Sequence, residues 1–396
     1  MVPDGWKIDI LGNLFEFKNG LNAEKEQYGI GYKFVNVMDV FRNDILTESK
    51  IIGRVQMSDK QLGDYKLKYG DVLFNRTSET FDEIAMAAVY LDNVVATFGG
   101  FVIRGRPKVD EIHPDFSVFL FQASGYRTQV IKLGQGAVRA NIGQKDLSKV
   151  RILVPPVREQ KKIAQILTAW VKAIATTEEM LVNSKKQKKA LMQKLLTGNN
   201  RFPKFNDECK FYHLSKIAVI TMGSSPKSGA YNENGIGLPL IQGNADIKNR
   251  KSAPRIFTAE ITKECHPDDI LLSVRAPVGT IAISNHKACI GRGIAAIRAK
   301  TAFNQAYLYQ WLIWFEPRWC SLSQGSTFES INSDDIKKLQ IRVPSSQEQK
   351  KIAKVLSLAD QEIELLQQKL NHLKQEKKAL MQQLLTGKRR VEVDAA

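Results

Sequence analysis

The residues of this 396-residue chain best suited to chemistry lie in short polar loops, and the chemistry they suit is contact with a polyanion. Near the start, Lys18, Asn19 and Asn22 surround a glycine. Further on, Arg76, Thr77 and Ser78 end an apolar run, and residues 135–141 (QGAVRAN) supply Gln135, Arg139 and Asn141. A second set follows in similar order: Ser224, Ser225 and Lys227, then Arg275 after an apolar run, Arg292 between two glycines, and residues 324–332 (QGSTFESIN) with Gln324, Ser326 and Thr327. Arg, Asn, Gln, Ser and Thr can read base edges in the major groove, while Lys and glycine-flanked backbone N–H groups can meet phosphates. A Gly/Ser/Asn-rich loop is by default only a turn. Three loop types recurring together carry more weight than any one alone.

Catalytic signatures are missing from the sequence. There is no GxxxxGK[ST] phosphate loop, no GxGxxG opening a helix after a strand, no HExxH, and no aromatic N/D-P-P-F/Y motif for holding a target base. The five histidines, His113, His213, His266, His286 and His372, have no metal or acid–base spacing and read as structural or exposed. Asp268-Asp269 and Asp334-Asp335 precede a strand and open a helix, positions that favour turn and capping roles over Mg²⁺. Cys209, Cys265, Cys289 and Cys320 form no CxxC and read as reduced packing residues, without zinc. The expectation is a chain with no catalytic residue, no metal and no cofactor of its own.

Two stretches must position these loops. Residues 154–198 and 343–387 match at 22 of 45 positions without a gap, at a constant offset of 189 residues. Each follows a proline (Pro155/Pro156; Pro344) and runs without Gly or Pro to Gly198 or Gly387, the pattern of one long helix of roughly 60 Å. In the second copy Ile352, Leu356, Ala359, Ile363, Leu366, Leu370, Leu373, Leu380 and Leu384 follow heptad spacing, interrupted at Lys377. The first keeps the register with Ile163, Leu167, Trp170, Ile174, Leu181, Leu191 and Leu195, but places Thr177, Ser184 and Lys188 in the seam. A tandem repeat related by a pseudo-two-fold predicts an antiparallel coiled coil between the copies.

The offset extends beyond the helices. Gln135-Gly136 matches Gln324-Gly325, and Asp146-Leu147 matches Asp335-Ile336. The run from Asp71 to Arg76 echoes that from Asp269 to Arg275, and residues 304–315 correspond to the helical stretch after Asp115. The predicted fold is α+β (mixed α/β): a globular domain at 1–153, a helix at 154–198, a second domain at 199–342, a second helix at 343–387 and a tail at 388–396. The net charge of +17 divides as +1, +6, +7, +2 and +1 over these segments. Within the first domain, residues 1–100 carry −4 and residues 101–153 carry +5, so an anion-binding face there is expected from the later part. No apolar run approaches the roughly 18 residues that span a bilayer, and the start lacks a signal-peptide pattern, so a cytoplasmic protein without membrane contact is expected.

With Pro3-Asp4-Gly5-Trp6 at the start and an EQKKIA…KKALMQ.LLTG helix after each of two domains, the chain resembles, over essentially its full length, the specificity (S) subunits of type I restriction-modification enzymes. The resemblance implies two target-recognition domains, each reading one half of an asymmetric, interrupted site in double-stranded DNA. It also implies an antiparallel coiled coil that sets the gap and docks partners. Those partners would be two methyltransferase (modification) subunits, using S-adenosylmethionine to methylate adenine N6, and two restriction/translocase subunits using ATP and Mg²⁺. Two alternatives stay open on the residues: an orphan S-like subunit serving methylation alone, and a coiled-coil scaffold whose domains bind proteins. The scaffold predicts no steep salt dependence of DNA binding, whereas a phosphate-contacting reader does.

Overall fold

A computed structural model describes residues 2–136, 138–319 and 330–393. Of the candidate residues, Gln324, Ser326 and Thr327, with Cys320, lie outside the described residues. The chain divides into two compact units, Met1–Thr177 with Lys369–Ala396, and Glu178–Gln368. Each contains one globular domain and part of both long helices, which run over Val157–Thr197 and Ser346–Leu384.

In the first unit a five-stranded sheet has the order Phe15–Asn19, Val102–Pro107, Val72–Asn75, Ala87–Tyr90, Ile45–Leu46, antiparallel except for the last pair. A smaller sheet of Arg54–Val55, Tyr28–Val35 and Ala96–Phe98 stands beside it, and the domain closes by pairing its first strand, Lys7–Ile10, with Arg151–Val154. The stretch after Asp115 forms two helices, Pro114–Leu120 and Ser124–Leu133. Phe116 and Tyr126 from these helices and Phe121 between them join Phe74 in a core that includes Ile163 and Leu167 from the first long helix and Leu384 and Leu385 at the end of the second. The start of one long helix and the end of the other therefore share one core.

The second unit repeats the plan. A six-stranded sheet runs Ala218–Met222, Ile294–Ala299, Ile270–Ser273, Ile281–Ile283, Lys251–Ser252, Ile247–Lys248, with a five-stranded sheet beside it. The strands Lys210–His213 and Gln340–Val343 close the domain. The helix Gln305–Phe315 packs Trp311 and Leu312 with Met192 and Leu196 of the first long helix and Ile352 and Leu356 of the second. Here the end of the first helix meets the start of the second, the converse of the other unit, so the pairing is antiparallel.

The repeated Glu-Gln at each helix start has a mechanical role. Gln160 Nε2 donates to Pro155 O (2.8 Å) and Glu111 O (2.7 Å) while its oxygen accepts from His113 N (2.8 Å). Gln349 donates to Pro344 O (2.9 Å) and accepts from Asn304 N (2.9 Å). His113 and Asn304 are the N-caps of the domain helices Pro114–Leu120 and Gln305–Phe315, so one amide joins each long helix to its domain. Glu159 accepts from Trp6 Nε1 (3.1 Å) and from Arg390, beyond the second helix; Glu348 accepts from Arg201, beyond the first. Arg201 and Arg390, like Glu159 and Glu348, are 189 residues apart.

Along the helices, Ile163, Leu167, Leu181, Ile352, Leu356, Leu366, Leu370 and Leu384 are buried, and Trp170, Ile174, Leu195, Ile363, Leu373 and Leu380 are half-buried. Leu191 departs from the expected seam. It is exposed, while Met192 and Leu196 are buried in the second unit's core. A straight helix drifts about 20° per heptad, and past the polar stretch at 184–189 the buried stripe has turned toward the domain. Thr177 and Lys188 do lie in the seam. Lys188 is buried with its ammonium on Asp360, whose other oxygen accepts from Gln310.

Candidate nucleic-acid interface

In the first unit the candidate loops gather where three adjacent strands end. Gly20 N donates to Val102 O (3.0 Å), Leu21 N to Phe98 O (3.0 Å), Arg76 N to Phe101 O (2.9 Å) and Ile142 N to Arg76 O (3.0 Å). A Cβ on Gly20 would stand 2.0 Å from Gly99 O, so only glycine permits this approach. Thr77 Oγ1 donates to Asn141 Oδ1 (2.8 Å), Asn141 Nδ2 donates to Arg139 O (3.0 Å), and Gln135 and Asn141 exchange backbone bonds (2.9 and 2.7 Å). The result is a platform on which Asn22, Arg76, Gln135, Arg139 and Asn141 are exposed.

Three sequence candidates are committed elsewhere. Lys18 Nζ donates to Asp64 O (2.9 Å), lies 3.2 Å from Asp64 Oδ1 and sits over the Tyr65 ring. Ser78 is buried and donates to Glu83 Oε2 (3.1 Å), holding the loop rather than facing outward. Asn19 is half-buried, with its N–H on the Gln144 amide oxygen (2.9 Å) in the orientation that satisfies both groups.

The second unit builds the same platform from different side chains. Gly223 N donates to Ile294 O (2.9 Å), Ser224 N to Ile290 O (2.9 Å) and Ile331 N to Val274 O (3.0 Å); a Cβ on Gly223 would stand 2.1 Å from Gly291 O. Ser224, Lys227, Arg275 and Arg292 are exposed, and half-buried Ser225 accepts from Arg292 N through Oγ (3.2 Å). Strand register alters one correspondence. Asn75 faces Val102 and Ser273 faces Ile294, and Arg275 bridges Ser330 as Thr77 pairs with Asn141. Arg275 thus stands at the place of Thr77, not of Arg76, because the segment from Asp269 reaches its arginine one residue later.

The acidic residues before these strands are structural, as their positions suggest. Asp71 accepts from Lys68 N (2.7 Å) and Arg106 Nε (2.8 Å); Asp269 accepts from His266 N (2.8 Å) and Arg298 Nε (2.5 Å), which holds the Arg298 guanidinium above its ordinary pKa. Asn332 caps Ser333–Lys338 by accepting from Asp334 N and Asp335 N, and Asn332 N donates in return to Asp335 Oδ2 (2.9 Å). Among the described residues no group of three or more His, Cys, Asp and Glu could hold a metal ion, and no helix is long and apolar enough to cross a membrane.

What sequence reasoning missed is apolar. In the first unit Met38, Phe41, Met86 and Phe101 line a cleft of about 550 Å³ with Thr77, Glu79 and Arg139. Phe101 is 62% exposed. The signal was an aromatic residue directly after Gly99-Gly100, in a turn with no core to fill.

Two like-built domains, each presenting exposed polar loops and each anchored to an antiparallel helix pair, define a tandem recognition subunit. Residues 3–183 and 206–375 match the model of the type I restriction modification DNA specificity domain, and the chain belongs to this family. A putative type I restriction enzyme MjaX specificity subunit of Methanocaldococcus jannaschii is 30% identical over 410 aligned residues, covering 98% of this chain and 95% of the relative. Two solved structures share the fold: the HsdS subunit from Thermoanaerobacter tengcongensis (23% identity, TM-score 0.53, 98% of both chains) and the type I system S subunit from M. genitalium (18%, 0.62, 96% of both). The chain is a non-catalytic specificity subunit, with two target-recognition domains, of a DNA restriction-modification complex.

Proposed function

We propose that the chain reads an asymmetric, interrupted site in double-stranded DNA, one half-site per domain, through the exposed loop residues of each platform. The helix pair sets the gap and docks two methyltransferase subunits, which use S-adenosylmethionine to methylate adenine N6. Two restriction/translocase subunits supply ATP- and Mg²⁺-dependent steps in the cytoplasm, and this chain supplies neither cofactor site nor catalyst. The observation that carries the reading is the pair of platforms: Gly20 and Gly223 make the same close approach, held by the same backbone bonds, under different exposed side chains. Matched scaffolds with unmatched surfaces suit two readers of unlike sequences.

The test is co-expression with a cognate methyltransferase subunit in a host lacking such modification, with methylated adenines mapped genome-wide. The expected outcome is a bipartite motif with one fixed gap, lost when this chain is omitted; no new methylation from an intact complex would overturn the reading. A four-residue insertion near Thr177 or Leu366 adds about 6 Å of helix. It is expected to lengthen the gap or abolish recognition, and an unchanged gap would remove the ruler role.

A further inference from the structure

We propose that the turn between residues 99 and 102, and its counterpart between 291 and 294, is the specificity-determining tip of each domain. Phe101 meets a thymine methyl group in one half-site, and Arg292 takes the O6 and N7 acceptors of a guanine in the other. This deepens, and rests on, the DNA-reading function proposed above. The two turns are one structure. Val102 N donates to Gly99 O (2.9 Å) and Ile294 N to Gly291 O (3.0 Å), and each is clasped by the same pair of bonds from the Gly20 or Gly223 loop. Superposing these bonds equates Gly100 with Arg292 and Phe101 with Gly293. Within a common backbone the two tip positions have exchanged a glycine for a side chain in opposite order.

Each side chain is explained poorly by folding and well by base contact. Phe101 is 62% exposed where Phe41 of the same cleft is half-buried, and it stands with Met38, Phe41 and Met86 in an apolar wall beside exposed Arg139. Apolar side chains recognise the C5-methyl that distinguishes thymine in the major groove. Behind it a Cβ at position 100 would stand 1.8 Å from Asn22 Oδ1, so as built the Asn22 side chain packs against the bare backbone and Phe101 is the projecting group. In the second unit the Ser225 hydroxyl takes the Arg292 N–H instead, and the guanidinium is exposed. An arginine so placed matches guanine, the partner whose two acceptors its fork can bridge. A shared backbone clasp fixes where each tip stands, so exchanging its side chain changes the base read without disturbing the fold.

The experiment uses the complex with its methyltransferase subunits and the motif mapped as above. In duplexes carrying the motif, each thymine of one half-site is replaced singly by deoxyuridine and each guanine of the other by 7-deazaguanine. Assignment of half-site to domain follows from which one each variant weakens. One deoxyuridine is expected to lower affinity about fivefold and one 7-deazaguanine about tenfold, in line with the discrimination of good base contacts. Phe101→Ala should bind thymine and uracil duplexes alike, Phe101→Leu should keep the difference, and Arg292→Ala should lose the 7-deazaguanine effect. Both alanine variants should melt with the parent, since both side chains are exposed. Insensitivity to every analogue, or sensitivity that persists in the alanine variants, would overturn the tip assignment while the motif itself upholds the recognition reading. Absence of any fixed-gap motif would instead overturn that reading, and this one with it.

Discussion

At the foot of the two long helices, Glu159-Gln160 and Glu348-Gln349 are the same residues, buried and bonded to the same kinds of partner. At the outer turns the backbone is equally alike, but Gly100-Phe101 faces Arg292-Gly293. The contrast follows from desolvation. A buried amide that satisfies two backbone groups cannot be exchanged without stranding them, at about 1–3 kcal/mol each. An exposed side chain on a fixed turn carries no such penalty. The repeat has therefore stayed itself where it holds the scaffold together and diverged where it faces outward.

The glycines under the turns belong to the first class although they lie beside the second. Gly223→Ala would put a methyl group 2.1 Å from Gly291 O, and the clasp must open to admit it. We expect a loss of about 3 kcal/mol, at the upper end of ordinary overpacking, read by thermal denaturation. Methylation should lose discrimination at the second half-site first. A variant that melts and methylates like the parent would show that the clasp does not set the turn. Gln349→Ala is the complementary case. It removes the partners of Asn304 N and Pro344 O and is expected to cost about 2 kcal/mol, while the methylated motif stays unchanged. A changed motif would mean that the helix start, too, influences reading.

Much of this organisation was legible in the sequence, and for a physical reason. A long helix writes its buried face at regular intervals, so the 189-residue repeat exposed both helices, and an antiparallel pair followed from the repeat itself. The loops were legible as polar types but not as positions. Lys18, Asn19 and Ser78 look available in sequence, and turn out bonded to Asp64, Gln144 and Glu83, partners 46, 125 and 5 residues away. Arg76 and Arg275 look equivalent by type, and strand register separates them by one place. Leu191 fits a heptad on paper, but the stripe turns toward the second domain before reaching it. The apolar cleft at Phe101 was missed because a search for polar, base-reading residues passes over phenylalanine and methionine.

The smallest expected effect is at Ser225, and it separates scaffold from reader most finely. The residue is half-buried, and among the described residues its hydroxyl accepts one bond, from Arg292 N at 3.2 Å. Ser225→Ala should therefore cost less than about 1 kcal/mol of stability, because water can replace the lost acceptor at so open a site. What water cannot replace is direction. Without the hydroxyl the clasp still holds the turn, but the Arg292 N–H loses its fixed partner and the arginine side chain samples more orientations before it meets a base. The expectation is a loss of affinity of a few-fold on the unaltered duplex, persisting when the first half-site is altered and absent when the contacted guanine is 7-deazaguanine or Arg292 is already alanine. Equal losses at both half-sites would place Ser225 with the scaffold, alongside Gln349.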